Sequence, residues 1–311
     1  MQKILITGSN GLLGQKLQQL LITSPYNTTV EVLATSRGNN RCSITSANLR
    51  YQSMDITNRE EIIATLTEFK PDAVIHTAAM TQVDDCETQR DLCWQLNVNS
   101  VEYLIEACQQ LKQAGQAPFL VHLSTDFIFD GAAGPYHEEA TANPVSYYGE
   151  SKLAAEQALL ASNIQWSIAR TVLVYGITEA MSRSNIILWV KKSLEEGKTI
   201  HVVDDQWRTP TLAEDLAMGC FLMADKKISG IFNISGKDFL TPYEMAIKTA
   251  KYFNLDASLI VKTDASRFSQ PAKRPPKTGF ILDKAIQQLN YAPRSFDEGI
   301  AILDQQLKAT V

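Results

Sequence analysis

The sequence has no apolar run near the roughly 18 residues that would suggest a bilayer span, so no membrane helix is expected. It also lacks a CxxC pair. The five cysteines (Cys42, Cys86, Cys93, Cys108, Cys220) are odd in number and scattered, which suits reduced core thiols better than a disulfide framework or a zinc site. The four histidines show no i, i+4 pairing and no cysteine partner at ligand spacing, so no metal is expected. There is no basic excess either: 29 Lys and Arg against 34 Asp and Glu give a net charge of −5, and no field to attract nucleic acid. Internal repeats and low-complexity segments are missing. Met1–Gly8 runs straight into an apolar strand and a glycine turn, so no leader is expected and the location read from this is cytoplasmic.

What is present is ordinary globular material. The chain has 311 residues, 45% hydrophobic and 20% charged, enough for one large or two modest domains. In the first half, short continuous apolar runs alternate with segments of helical period. The runs Lys3–Thr7, Val30–Thr35, Leu49–Ser53, Ala73–His76, Phe119–Leu123 and Trp166–Arg170 read as strands. Leu12–Leu21, Arg59–Phe69, Asp91–Ala114 and Tyr147–Ser162 read as helices between them. Apolar strands separated by helices predict an α/β fold, a doubly wound parallel sheet covered on both faces. Arg37–Asn48 is polar and irregular, a surface excursion. After Thr171 the alternation weakens: helices are expected at Ile186–Glu196, Leu212–Met223, Tyr243–Phe253 and Phe296–Lys308, and short strands at Ile200–Val203 and Ile231–Ile234. The proline-rich Gln270–Gly279 reads as an extended loop. The expected division is a dinucleotide-binding domain over 1–171 and a smaller α/β substrate lobe over 172–311, interdigitated with it.

The first strand enters Gly8-Ser-Asn10-Gly11-Leu12-Leu-Gly14 and then an amphipathic helix. Gly8 permits the tight turn, Gly11 lets the backbone approach a pyrophosphate, and Gly14 allows close packing of helix on strand. The diphosphate would meet the free N–H groups at the helix start. At the end of the second strand, where an acid would select NAD, the sequence has Thr35-Ser36-Arg37. Ser36 and Arg37 could hold a 2′-phosphate, so NADPH is favoured with NADH as the alternative; the plainer reading of Arg37 is a solvated surface charge. Small residues at Thr77-Ala78-Ala79, ending the fourth strand, would let the cofactor lie against the chain. Tyr148 and Lys152 stand four residues apart, on one face of a helix. A free phenol titrates near 10, but a neighbouring ammonium and a cationic nicotinamide would lower that value, so Tyr148 could pass a proton to or from a substrate oxygen. Thr125, in the strand edge Leu123-Ser-Thr-Asp126, could hydrogen-bond a substrate carbonyl, with Ser124 as the alternative.

The GxxGxxG spacing resembles the extended short-chain dehydrogenase/reductase superfamily, whose members carry TGxxGxxG at this turn. Within it, the segments Met1–Gly14, His76–Glu87, Leu96–Val101, Ser124–Gly131, Tyr147–Leu159, Asp205–Ala217 and Arg274–Thr278 look like the dTDP-4-dehydrorhamnose reductase family. That resemblance implies reduction of the 4-keto group of a nucleotide-linked deoxyhexose by NADPH or NADH, with Thr125, Tyr148 and Lys152 catalytic. It implies cofactor contacts at Asn10, Leu12, Asp55, Ile56 (the adenine end) and Asn97, and substrate contacts at Thr81, Thr125, Asp126, Leu173, Asn185, Trp207, Arg208 and Arg274. Asp126-Phe127 stands where sugar-nucleotide dehydratases have Asp-Glu, so no acid is in place to eliminate water. The chain departs from the family twice: Leu173 occupies the position of a substrate-contacting Trp, and Arg208 replaces a glycine in the loop after Asp205-Gln206. Arg208 could bind a diphosphate or a carboxylate, or lie on the surface. A changed sugar or nucleotide follows from these departures. The resemblance allows a homodimer, with apolar helix faces such as Ile186–Leu194 available to it, and no carboxylate cluster predicts magnesium. Two other functions stay open: a dinucleotide-binding regulatory subunit like that of methionine adenosyltransferase, and a nucleotide-sugar epimerase.

Overall fold

The computed structural model describes residues 1–179, 184–268 and 270–309. Its centre is a seven-stranded, wholly parallel sheet. Strands β1 (Gln2–Thr7), β2 (Val30–Ser36), β3 (Leu49–Ser53), β4 (Ala73–His76), β5 (Phe119–Thr125) and β6 (Gln165–Thr171) are joined by a seventh, Gly230–Asn233. The order across the sheet is Gly230–Asn233, β6, β5, β4, β1, β2, β3. All neighbours run parallel, with β1 registered Leu5 to Leu33 on one side and Leu5 to Val74 on the other. This is the doubly wound α/β fold that the strand–helix alternation predicts.

The strands carry apolar residues on both faces because both faces are covered. Ile4, Ile6, Val32, Ile75 and Val121 pack on one side with Leu17 and Leu21 of helix α1 (Leu12–Leu21) and with Leu216, Cys220 and Phe221. Leu5, Leu33, Val74, Leu120 and Ile168 face the other side and meet Ile62, Leu66, Val101, Leu104 and Leu159. Successive residues of one strand thus feed two separate cores, as period-two geometry requires.

The strand order reverses on either side of β1, with β2 to one flank and β4 to the other. A crevice opens there at the carboxyl ends of the strands. The chain returns to this sheet after residue 172: Gly230–Asn233 pairs with β6, and helix Ala213–Lys226 packs against α1. The smaller lobe is built from helices Ile186–Glu195 and Pro242–Tyr252 over the paired strands Ile200–Val203 and Ile260–Thr263, with Val190, Leu194, Val202, Ala246 and Ile260 at its core.

The structure departs from expectation at the single helix foreseen over Asp91–Ala114. It divides into Arg90–Trp94, a π-helical turn Gln95–Asn99, and Ser100–Gln113. Such turns insert one residue into a helix and often mark functional sites. Here the insertion brings buried Asn97 toward the end of β4. No helix among the described residues is long and apolar enough to cross a membrane.

Candidate active site

The crevice floor is the glycine turn. Gly8 has φ of 67°, in the left-handed region, and a Cβ there would lie 2.7 Å from the Ala78 nitrogen. A Cβ on Gly14 would lie 2.4 Å from the Gly8 carbonyl oxygen. Helix α1 starts at Gly11 with no side chain capping its first turn, so its leading N–H groups face the cleft. This is the geometry that accepts a diphosphate. Replacing Gly14 by Ala is expected to cost about 1–3 kcal/mol of stability, because both close neighbours are backbone and cannot yield cheaply. The same change is expected to weaken dinucleotide binding. Thermal denaturation and an NADPH titration of Gly14→Ala would check both.

Two connected hollows extend from the turn. One, of about 270 Å³, is lined by Ser36, Arg37, Met54, Asp55, Ile56, Ala78 and Leu96. The other, of about 590 Å³, runs past Leu12, Thr77, Ala79 and Thr81 to Ser124, Thr125, Asp126, Tyr148, Lys152, Leu173, Arg208 and Arg274. Gly8, Gly11, Thr77 and Ala79 border both. The shape and lining fit a dinucleotide whose adenosine end lies by Arg37 and whose nicotinamide end lies by Tyr148. Arg37 is mostly exposed and stands 3.8 Å from the Asp55 carboxylate.

Tyr148 and Lys152 lie on helix Tyr147–Leu160, which Ser146 caps by accepting from the Gly149 N–H. Both are buried. Burial pushes the Tyr148 phenol well above its usual range; a hydrogen bond with Thr125 opposes that shift, while Asp126, Cys86 and Cys93 add to it. The expectation that Lys152 draws the phenol's pKa down therefore needs correcting. The lysine ammonium bonds the imidazole of His122, Nζ to Nε2 at 3.2 Å, and burial lowers Lys152 to about 8. At neutral pH the site holds a protonated phenol beside an ammonium.

Thr125 ends β5. Its hydroxyl donates to Asp126 Oδ1 at 3.0 Å and accepts from the Phe127 N–H at 3.2 Å. Asp126 is almost fully buried, and burial raises its carboxyl pKa against the opposing pull of Arg208, Thr278 and Thr125. Thr278 donates a hydrogen bond to Asp126 Oδ2. Sequence reasoning did not single out Thr278, although the resembling segment Arg274–Thr278 ends on it. Ser124 borders the cleft with its hydroxyl buried and without a partner among the described residues.

Arg208 is not a surface cation. It is 5% exposed, and its guanidinium donates to the carbonyls of Trp207 (2.7 Å), Pro275 (2.8 Å) and Pro276 (3.3 Å). Its Nε lies 3.9 Å from Asp126 Oδ2, and the group sits over the Phe127 ring. The long side chain that replaces glycine thus clamps the 206–208 loop to the proline-rich loop and to Asp126. Arg274 is held by Asp84, with contacts of 2.8 and 3.2 Å, which fixes the same loop from the other side. Leu173 is 44% exposed with φ of 35°, a strained conformation for a branched side chain at the rim of the cleft.

Four residues expected at the site do not line it. Asn97 is buried, and its amide bridges Met80 and Ser151, so it holds the loop after β4. Asn10 pins the 37–48 excursion, donating to the Asn39 carbonyl and accepting from the Arg41 N–H. Asn185 caps helix Ile186–Glu195 through the Leu188 N–H and donates to the Gly176 carbonyl. Trp207 engages the 275–279 loop through its backbone. In each case an amide or backbone that could meet a ligand is already occupied within the chain. Among the described residues, no group of three His, Cys, Asp or Glu could hold a metal ion.

The RmlD substrate binding domain family matches residues 1–308. Methionine adenosyltransferase 2 subunit beta of Xenopus laevis is 31% identical over 262 residues, 83% of this chain and 74% of that protein. A dTDP-4-dehydrorhamnose reductase from Clostridium acetobutylicum superposes with a TM-score of 0.82 at 29% identity, over 98% of this chain and 99% of that one. The dTDP-4-dehydrorhamnose reductase of Bacillus anthracis, solved in complex with NADP, gives 0.81 at 25% identity, over 98% and 100%.

Proposed function

Since this chain belongs to the RmlD substrate binding domain family, we propose that it is an NAD(P)H-dependent reductase of a nucleotide-linked 4-keto-6-deoxy sugar, with dTDP-4-dehydrorhamnose as its first candidate substrate. One observation carries the reading: Thr125, Tyr148 and Lys152 converge on the cleft that begins at the uncapped glycine turn. The nicotinamide, when bound, supplies the hydride. The chain supplies the rest. Tyr148, protonated because burial raises its pKa, gives its proton to the developing alkoxide. The Thr125 hydroxyl, which donates to Asp126 in the free protein, turns its hydrogen to the same oxygen and orients it. Lys152 places a positive charge one helical turn from the phenol, on the wall of the same cleft.

Ser36 and Arg37 at the adenosine end favour NADPH. Arg37→Ala is expected to raise the KM for NADPH about tenfold, the value of one charge-assisted hydrogen bond, and to leave the KM for NADH nearly unchanged. Equal effects on both cofactors would mean that Arg37 does not read the 2′-phosphate.

The similarity to methionine adenosyltransferase 2 subunit beta favours a second reading, a dinucleotide-binding partner subunit. An epimerase of the same fold would cycle its cofactor without net consumption. Incubation with NADPH or NADH and enzymatically made dTDP-4-dehydro-L-rhamnose separates the three. The reductase reading predicts oxidation of the cofactor that requires the sugar. Tight cofactor binding with no oxidation across a panel of keto-sugar nucleotides would favour the subunit, and sugar isomerisation without oxidation would favour the epimerase.

A further inference from the structure

Among the described residues, the hydrogen-bond partner of the Lys152 ammonium is His122, a residue to which the reduction chemistry gives no task. His122 lies in β5, in register with His76 of β4, and the two imidazoles stack with centroids 5.5 Å apart. Both are 1% exposed. His76 is anchored through Nδ1 to the Thr7 hydroxyl at 2.7 Å. His122 is anchored through Nε2 to Lys152, and its buried Nδ1 has no partner among the described residues.

That asymmetry has chemical content. An ammonium has three donors and no lone pair, so it can bond His122 only if Nε2 presents a lone pair. A neutral imidazole then carries its hydrogen on Nδ1, where nothing accepts it. Buried donors without acceptors are rare and costly. The imidazole is neutral because burial, the Lys152 charge and His76 all hold its pKa well below the usual value. The groups facing Lys152 from the other packed elements are Cys93 of helix Arg90–Trp94 and Cys86 of helix Val83–Thr88, while Glu156 lies one turn along its own helix. Glu156 stabilises the ammonium by charge, and His122 is the group bonded to it.

We propose that His122 is a positioning residue for Lys152: as the neutral Nδ1–H tautomer it accepts from the ammonium and fixes the charge of Nζ at the edge of the dinucleotide cleft. The inference rests on the reading of Lys152 as the cation of the reductase site, but its test does not need turnover. A core-filling histidine would serve as well in either tautomer, and an apolar ring of similar size would replace it without consequence for Lys152.

Nitrogen-15 NMR of histidine-labelled wild-type protein, with His122 assigned by substitution, reads the tautomer directly. Protonation at Nδ1 is expected; protonation at Nε2 would overturn the proposal, whether or not the protein reduces any sugar. The Lys152 amine is then titrated by carbon-13 labelling of lysine in wild-type, His122→Phe and His122→Gln proteins, with Lys152→Arg for assignment. Loss of the acceptor in His122→Phe is expected to lower the lysine pKa by a unit or more, about a tenfold loss of proton affinity. His122→Gln, whose amide oxygen reaches about as far as Nε2, is expected to restore it. An unshifted Lys152 in His122→Phe would contradict the proposal. If that variant does not fold, the wild-type tautomer decides alone. A normal tautomer result alongside absent turnover would sink the reductase and leave the His122–Lys152 pair standing.

Discussion

Tyr148→Phe is expected to lower kcat by about 10²–10⁴-fold, the usual contribution of one positioned general acid. The protein should remain folded, because the ring keeps its place against Phe127 and the hydroxyl's loss removes one hydrogen bond, to Thr125. Cofactor affinity should change little, since the glycine turn and the Arg37 end of the cleft are untouched. The informative quantity is the split: kcat should collapse while the dissociation constant for NADPH stays within a few-fold. Thr125 would still accept from the Phe127 N–H, and its hydroxyl could still turn its hydrogen to a carbonyl. Residual turnover is therefore expected to be small and not zero. Unchanged turnover in Tyr148→Phe would remove the phenol from the proton path.

Glu156→Ala is expected to destabilise the protein by about 3–5 kcal/mol, the cost of leaving one member of a buried ion pair behind. Glu156 and Arg170 are 1% and 5% exposed and meet in a bidentate pair at 2.7 and 3.0 Å. The third arm of Arg170 donates to the Glu138 carbonyl at 2.8 Å, and the guanidinium lies over the Phe129 ring. Glu138 in turn accepts from the Asn233 N–H, so the pair links helix Tyr147–Leu160, β6 and the last strand of the sheet. Removing the carboxylate strands a guanidinium that has no route to water. Glu156→Gln keeps one acceptor and should cost less. Urea midpoints of the two variants would check the order, and a midpoint for Glu156→Ala equal to that of the wild type would contradict it. Because Glu156 also stabilises the Lys152 ammonium, the alanine variant should lower the pKa of Lys152 as well.

Most of what frames the site is local, and local features are legible in a sequence. Strands β3 and β4 and helices Leu12–Leu21 and Arg59–Phe69 have the bounds that hydrophobic pattern alone predicts, because strands covered on both faces are written as unbroken apolar runs. The glycine turn is legible for the same reason: it is seven consecutive residues, and what a side chain on Gly14 would meet is the backbone of Gly8 and Ser9 within the turn.

What escapes the sequence is non-local. The burial of Arg208 depends on the carbonyls of Pro275 and Pro276, 67 and 68 residues away, so a cation beside Trp207 reads equally well as ligand-binding or solvated. The π-helical turn at Gln95–Asn99 lies inside a run that reads as helical throughout, and the bonds that Asn97 makes from it to Met80 and Ser151 are not local to that run. His122 sits in an apolar strand run and reads as core. Only its distance from Lys152 gives it a chemical part. Asn185 looks like a polar residue free for a sugar, but the helix that follows it needs a cap.

The central claim is that this chain carries a hydride from a nicotinamide to a nucleotide-linked keto sugar, with Tyr148 delivering the proton. It is tested most directly with NADPH deuterated at the transferable position of the nicotinamide ring, incubated with dTDP-4-dehydro-L-rhamnose and analysed by mass spectrometry of the sugar nucleotide. The account predicts a reduced product carrying one deuterium at C4, formed by the wild type and nearly lost in Tyr148→Phe. A reduced product without deuterium, or no product from a protein that binds the cofactor tightly, would contradict it.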